Sequence, residues 1–408
     1  MSMSSEESSN IQETIDWTGK VLNNKYIAIK RIGKGAFATV WLSFDMDKNR
    51  MVAIKIHNTH DYVDGEQDAQ LLKSLKKQKI KCITDFIETF DILADDEYVD
   101  EEDGEDMHLC IVMELMGCSL ADLLKEGKYK KGLPVDAVEK IYSQIKFAIT
   151  ELNNIGYVHT DIKPENILLE GISKKNNEIK NLFTNKFDYV LNNTKKELIK
   201  KKFSIKKIRN EAIKLTVKKL LEDIDTDSDT DSDSDSEYEY NKEDLNTTTD
   251  SEDGKDCNYC CIDDKYINNI NVKLSDFGTC IKKNKLDTFS IQTRYYRAPE
   301  IILHMKYDEK CDMWSLGCTL FELLTGKMLF DPDDYVDEGC NIDERHLQLI
   351  QGVCGKIPNE ILDKCERACK YFKKDGSFKG GKIKIIDIPE SPLKKTILKC
   401  LSYYPDKR

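Results

Sequence analysis

The sequence predicts an α+β chain: a smaller, strand-rich part with one main helix, then a larger, mainly helical part carrying a long, largely disordered insertion. Three observations lead there. From Tyr26 onward, short runs of Val, Ile and Phe broken by Gly and Asn read as strands joined by hairpins. Across 119–155, Leu120, Leu123, Leu124, Val138, Ile141, Ile145, Ala148, Ile149 and Leu152 recur at helical spacing, as core-facing stripes do. Between Leu169 and Asn271 the chain then passes through about a hundred residues of lysine-rich and afterwards acidic, low-complexity sequence.

These shifts divide the chain into a disordered tail (1–19), a strand-rich part (20–112), a first helical part (113–170), an insertion (171–265) and a second helical part (266–408). The tail is rich in Ser, Glu and Asn and has too little apolar surface to offset ordering entropy. Lengthening a loop from roughly ten to roughly a hundred residues costs only about 2 kcal/mol of closure entropy, so an insertion of this size is tolerable. In its first half, Leu198, Ile199, Ile205, Ile208, Ala212, Leu215, Leu220 and Leu221 fit a basic amphipathic helix, while Asp225–Asp235 alternates acids with Ser and Thr.

A net charge of -12 argues against broad nucleic-acid binding and suits basic partners. Fourteen cysteines without a repeated paired spacing read as reduced thiols of a soluble cytoplasmic or nuclear protein. The apolar runs 111–115 and 316–324 are far too short to span a bilayer, so no membrane association is expected, and a monomer is.

The chemistry centres on Val158-His159-Thr160-Asp161-Ile162-Lys163-Pro164-Glu165-Asn166-Ile167-Leu168-Leu169. Within six positions it supplies Asp161 to accept a hydroxyl proton, Lys163 to reach a transferring phosphoryl group, and Asn166 to hold a metal ion. Upstream, Ile32-Gly33-Lys34-Gly35-Ala36-Phe37-Ala38-Thr39-Val40 lies between two strands, where Gly33 and Gly35 let the backbone approach phosphates and Val40 covers a base. Ala38 stands where a third glycine is common. Val52-Ala53-Ile54-Lys55 follows one strand later, placing an ammonium for the α- and β-phosphates. The carboxylate that orients Lys55 is expected from the helical stretch 65–75, from Glu66 or, better, Asp68, which precedes Leu71, Leu72 and Leu75 at helical offsets. Leu274-Ser275-Asp276-Phe277-Gly278 adds a second metal ligand, Asp276.

With these motifs placed, residues 20–170 and 266–408 resemble a eukaryotic-type serine/threonine protein kinase, and more narrowly the SR-protein kinases of the CMGC group. The residues that carry the narrower resemblance are Ala38-Thr39-Val40-Trp41-Leu42, the His159–Asn166 string, Ile291-Gln292-Thr293-Arg294, Asp343-Glu344-Arg345-His346-Leu347 and Gly355-Lys356-Ile357-Pro358, with the insertion at the same junction. The resemblance implies the two-lobed protein kinase fold, ATP and Mg2+ as cofactors, and transfer of the γ-phosphate to Ser or Thr of protein substrates, Arg-Ser-rich or otherwise basic. It also implies backbone contacts from Glu114 and Met116 to the adenine edge, and an Asp312 that bonds the backbone of the catalytic loop. Ala298-Pro299-Glu300 and Asp276-Phe277-Gly278 follow the general kinase form, which leaves a proline-directed preference open. The alternative is a nucleotide-binding pseudokinase that scaffolds partners through the insertion, towards which Ala38 and Asp68 lean.

Thr160 replaces the arginine that commonly receives an activation-loop phosphate, so activity independent of phosphate on Thr288 or Ser290 is expected. The acids Asp331, Asp333, Asp334, Asp337, Glu338, Asp343 and Glu344 form a candidate docking groove for arginine-rich segments. An arginine at position 408 is the expected partner of Glu300. No final helix follows it, as in a fragment or an unusually short member.

Overall fold

The β-branched and aromatic runs after Tyr26 form strands because such side chains pack well on a pleated, half-buried surface. A computed structural model describes residues 15–93, 107–125, 127–172, 174–201, 205–225, 262, 264–333, 341–379 and 385–408. In it β1 (Val21–Leu22), β2 (Tyr26–Lys34), β3 (Ala38–Asp45) and β4 (Arg50–His57) are followed by α1 (Tyr62–Gln78), β5 (Phe86–Leu93) and β6 (Met107–Glu114). The six strands make one sheet in the order β1-β2-β3-β4-β6-β5. Its register sets Gly33 opposite Val40 and Val40 opposite Lys55, so the glycine hairpin and the lysine share neighbouring positions.

Next come α2 (Leu120–Lys125), α3 (Val135–Asn154), β7 (Tyr157–Val158) and β8 (Ile167–Leu169). The insertion opens with α4 (Lys174–Lys200) and α5 (Ile205–Asp225) and closes with α6 (Asp264–Asn268). Beyond it lie β9 (Val272–Leu274), β10 (Ile281–Lys282), α7 (Pro299–Ile302), α8 (Cys311–Thr325), α9 (Ile342–Cys354), α10 (Asn359–Leu362), α11 (Ala368–Tyr371) and α12 (Lys394–Cys400).

Backbone proximity groups the chain into two compact units, Met1–Thr59, Phe90–Cys110 and Glu178–Ser234 in the first, His60–Thr89, Ile111–Asn177 and Asp235–Arg408 in the second. The first unit contains β1 to β4, α4 from Glu178 onward, and α5. Phe183 and Phe187 of α4 stack on each other, ring centroids 5.6 Å apart, and Phe183 meets Phe44 of β3 at 5.5 Å. Ile179, Phe183, Phe187 and Leu198 of α4 and Ala212, Ile213, Val217 and Leu220 of α5 are buried. Ile179, Phe183 and Phe187, then Thr194 and Leu198, and on α5 Ile213, Val217 and Leu220 step by three or four residues along one apolar seam per helix, and Lys219 joins the two helices through Glu197 at 3.0 Å. The expected basic helix is therefore two helices. Its apolar seam begins earlier, at Ile179, and Ile199 lies outside it, 61% exposed. The acidic run from residue 226 onward lies outside the described residues.

The N-terminal boundary also moves. Trp17 is buried, its ring edge-on to His108 at 5.5 Å, and the Gly19 amide donates to Ala28 O at 2.8 Å. An aromatic ring of this size supplies enough apolar area to hold a short segment that composition alone assigns to a tail.

The second unit is helical. The α3 stripe of Val138, Ile141, Ile145, Ala148, Ile149 and Leu152 is buried as its spacing requires, and α8 is buried nearly all round. Gly317 lets α12 approach α8, since a Cβ there would sit 2.8 Å from Cys400 Cβ. Among the described residues no helix is long and apolar enough to cross a membrane, and no disulfide joins the described cysteines.

Replacing Phe183 with Ala removes the ring that spans Phe44 and Phe187. Unfolding free energy measured in urea should fall by about 3–5 kcal/mol, the usual cost of a buried Phe. A variant as stable as the parent would show that the α4 seam adds nothing to this core.

Candidate active site

The catalytic-loop string starts where β7 ends and returns through β8, and the antiparallel pairing of Ile167 with Leu274 brings it beside the segment 275–279. The loop is set by Asp312, in the first turn of α8. Its Oδ2 accepts the His159 amide at 2.8 Å and its Oδ1 the Thr160 amide at 2.8 Å, with the carboxylate fully buried. Burial pushes the Asp312 carboxyl up, while the charge of His159 and the two amide bonds pull it back down. Thr160 takes a left-handed backbone (φ 66°), and its hydroxyl donates to Thr279 O at 2.8 Å. Thr279 returns a hydroxyl bond to His159 O at 3.2 Å. His159 Nε2 lies 3.1 Å from Ser275 O and its ring packs edge-on to Phe277 at 5.4 Å.

Asp161 stands at the focus. Its Oδ2 meets Lys163 Nζ at 2.9 Å and accepts from Asn166 Nδ2 at 3.0 Å. Its Oδ1 accepts from Thr293 Oγ1 at 2.6 Å and, more weakly, from the Thr293 amide at 3.3 Å. Lys163 also donates to Thr293 Oγ1 at 2.9 Å. Lysine, amide and the hydroxyl of a residue 132 positions away thus converge on one carboxylate. Asn166 spends its amide group on Asp161 Oδ2 and Asp161 O, which turns its carbonyl oxygen, a hard donor of the kind magnesium takes, to the other side. Asn166 O in turn accepts the Ser275 amide at 2.9 Å and hydroxyl at 3.0 Å, tying it to Asp276 one residue on. Asp276 also has a left-handed backbone, φ 60°. A non-glycine residue held there costs of order 1–3 kcal/mol, so the surrounding bonds must impose it.

Other expected residues fall on both units. Ile32–Val40, Ala53 and Lys55 belong to the first; Gly35 N donates to Ala38 O at 2.9 Å, closing a hairpin whose tip, Lys34 to Phe37, is exposed. Ala38 and Thr39 are buried. Asp68, Glu114 and Met116 belong to the second. Two positions along a helix is about 200° of rotation, and accordingly Asp68 points inward, 4% exposed, while Glu66 lies on the solvent face. Glu114 ends β6, and its carboxylate is held by the Asp85 amide at 2.7 Å and Lys273 Nζ at 2.6 Å.

Sequence reasoning missed three contributors. Thr293 is visible in the sequence only as part of a family-like string, with nothing to show its hydroxyl on Asp161. Gln292, at φ 64°, braces the segment: Nε2 donates to Cys311 O and Ser315 Oγ, Oε1 accepts the Ala298 amide, and its own carbonyl accepts two bonds from Arg297. Glu322 sits in an apolar helical run and gives no signal. It accepts Tyr296 OH at 2.6 Å, and its carboxyl is pushed up to about 7, by burial first and by the charge of Glu165, against the Tyr296 bond.

The candidate docking acids are only partly available. Asp343 pairs with Arg294 at 2.7 Å and accepts from Tyr371 at 3.3 Å; despite burial, these bonds hold its carboxyl below the usual range. Asp333 accepts Tyr295 OH at 2.7 Å. Asp334, Asp337 and Glu338 lie outside the described residues. Arg408 finds the expected partner: both side chains are buried, Arg408 Nη2 is 2.8 Å from Glu300 Oε2, and Nη1 bonds Oε1.

A model of the protein kinase domain matches residues 26–182 and 257–408. Over 453 residues the chain is 28% identical to L205 of Acanthamoeba polyphaga mimivirus, provisionally named a serine/threonine-protein kinase, across 93% of this chain and 80% of that one. It is 28% identical to serine/threonine-protein kinase SRPK of Physarum polycephalum, across 88% and 74% of the two chains. Against serine/threonine-protein kinase AFC3 of Arabidopsis thaliana the identity is 26%, across 86% and 66%. The crystal structure of another kinase domain superposes with a TM-score of 0.61 at 22% identity, covering 97% of this chain and 95% of its own, a likeness of fold.

Substituting Glu300 with Gln leaves the Arg408 guanidinium buried without its counter-charge. Stability measured in urea should drop by about 3–5 kcal/mol; a loss below about 1 kcal/mol, the worth of an exposed pair, would contradict the buried geometry.

Proposed function

This chain belongs to the protein kinase family, a serine/threonine protein kinase that uses ATP, and on that premise we propose that Asp161 is the group that accepts the proton of the attacking hydroxyl. The observation that carries this is the convergence of Lys163, Asn166 and Thr293 on its carboxylate. Asp161 aligns a serine or threonine oxygen in line with the γ-phosphorus and takes its proton as the new P–O bond forms and the bond to the β-phosphate bridge breaks. Lys163, 2.9 Å from the same carboxylate, offsets charge on the transferring group. For the nucleotide, this reading assigns the phosphates to Lys55 and the backbone of Ile32–Val40, the carboxylate that orients Lys55 to Asp68, and the base to Ala53, Val40, Glu114 and Met116. Magnesium, held by Asn166 and Asp276, would neutralise charge between the β- and γ-phosphates.

The glycine hairpin supports this reading. Gly33 and Gly35 have no left-handed backbone, and a Cβ at either would meet neighbours no closer than 3.4 Å. The hairpin itself does not require glycine there, which leaves close approach of a ligand as the reason for it.

The substrate is a protein segment rich in arginine, an Arg-Ser repeat or a similar basic stretch. The SR-protein-kinase-like motifs favour it, and so does the Glu322 carboxyl, whose ionisation is opposed by burial and by Glu165. A guanidinium brought to these two carboxylates relieves that opposition and gains charge-assisted bonds. The Thr160–Thr279 bond and Tyr307 OH on Thr288 O at 2.6 Å tie the activation segment through its own side chains, which supports the reading of phosphate-independent activity. The pseudokinase alternative finds no support in the intact convergence on Asp161.

Labelled ATP with an Arg-Ser peptide and a proline-directed peptide tests the assignment. Transfer to the Arg-Ser peptide should dominate, and Asp161→Ala should lower kcat by about 10²- to 10⁴-fold, the range for a positioned base; turnover unchanged in that variant would reject the role. The pH dependence carries its own sign. Glu322 is neutral below its raised value and charged above it, so KM for the Arg-Ser peptide should fall as pH rises through about 7. In Glu322→Gln that dependence should vanish. The same upward shift favours the protonated folded form, so stability contributed by Glu322 is present at low pH and lost as pH rises through about 7.

A further inference from the structure

From Leu286 to Ile291 the activation segment has no regular secondary structure, so side chains set its path towards Thr293. Phe289 is the largest of them. Its ring lies nearly parallel to the His304 imidazole, 10° apart in plane with centroids 4.2 Å apart, and is tilted 58° to the Tyr307 ring at 5.7 Å. Tyr307 is buried, and its hydroxyl donates to Thr288 O at 2.6 Å. Two rings that follow α7 in the chain thus grip two successive residues of the segment. Thr293, whose hydroxyl meets Asp161 Oδ1 at 2.6 Å, lies one short stretch further on. All of these residues belong to the second unit.

His304 stands where the backbone favours a different residue. Just past the end of α7 it takes a left-handed conformation, φ 53°, with its own amide donating to Ile301 O at 3.3 Å and the Met305 amide to Glu300 O at 2.8 Å. Glycine closes a helix in this way without a Cβ penalty, and histidine does not. Among the described residues the imidazole makes no hydrogen bond, which leaves the stack on Phe289 as the use of the ring. Its platform is fixed. The Arg367 amide donates to Leu303 O at 3.1 Å, and Glu300 is held by the buried Arg408 at 2.8 Å. Burial first, and then the charge of Arg367, hold His304 below its usual range against Glu366 and Asp343, so the stacked ring is uncharged at neutral pH.

We propose that Phe289 and His304 are positioning residues for phosphoryl transfer: their stack holds the activation segment so that Thr293 reaches Asp161, the task that a phosphate on Thr288 or Ser290 would otherwise perform. The proposal rests on the role of Asp161 given above.

The full chain, treated with phosphatase so that no phosphate stands in for the stack, is assayed with whichever of the Arg-Ser and proline-directed peptides the parent phosphorylates. His304→Asn keeps a residue that tolerates the left-handed turn and removes the ring; Phe289→Leu keeps apolar bulk and removes the other. Each should lower kcat by about three- to tenfold, the worth of one aromatic pair. Binding of an ATP analogue should stay within about twofold of the parent in both, since the loss is one of alignment. Phe289→Tyr retains the ring and should restore kcat to within about twofold of the parent. The double variant should lose no more than the worse single one, because both substitutions remove the same contact. Unchanged kcat in either single variant, an equal loss in Phe289→Tyr, additive losses in the double variant, or loss of analogue binding would each overturn the proposal. Asp161→Ala in the same assay separates the two readings: if its kcat is unimpaired the catalytic assignment fails, and if only His304→Asn is unimpaired this proposal alone fails.

Discussion

A single buried carboxylate organises the loop that the rest of the site hangs on. Asp312 accepts two backbone amides, of His159 and Thr160, at 2.8 Å each. Bonds to a charged acceptor contribute about 1.5–3 kcal/mol apiece, enough to offset the left-handed backbone of Thr160. That turn aims the Thr160 hydroxyl at Thr279 and leaves Asp161 facing Lys163, Asn166 and Thr293. Because α8 is buried nearly all round and held by Gly317 against α12, the carboxylate has little freedom to move. Rigidity of the helix becomes rigidity of the loop.

Residues whose partners lie close in sequence, or whose chemistry has few uses, are legible in the sequence itself. Asp161, Lys163 and Asn166 sit within six positions, and their meeting at one carboxylate follows from a short loop. The α3 stripe is legible because a period of 3.6 residues has one dominant cause, a helix with a buried face. Asp68 is buried and Glu66 exposed because two positions on a helix face opposite sides. Thr293, Gln292 and Glu322 are not legible: their partners Asp161, Ser315 and Tyr296 lie 132, 23 and 26 residues away, and Thr, Gln or Glu in a mixed stretch has many ordinary uses. Trp17 escapes notice for a related reason, since composition averages over a window while one ring decides burial.

The insertion shows how local pattern and tertiary packing divide the task. Its lysines mark a basic helix, but a basic amphipathic pattern does not say what covers the apolar seam. The cover is aromatic: Phe183 and Phe187 against Phe44. A helix pair that buries its seam on the sheet of its own unit is part of that core rather than a tether, and its exposed lysines form the surface it presents.

The central claim, that Asp312 acts on chemistry by positioning the loop rather than by binding nucleotide, is tested by Asp312→Asn, which keeps the size of the side chain and removes its second acceptor. We expect kcat to fall by at least about tenfold while the dissociation constant of an ATP analogue stays within about twofold, a loss confined to the transition state. Unchanged kcat in a folded variant, or a loss seen only as weakened nucleotide binding, would contradict the account.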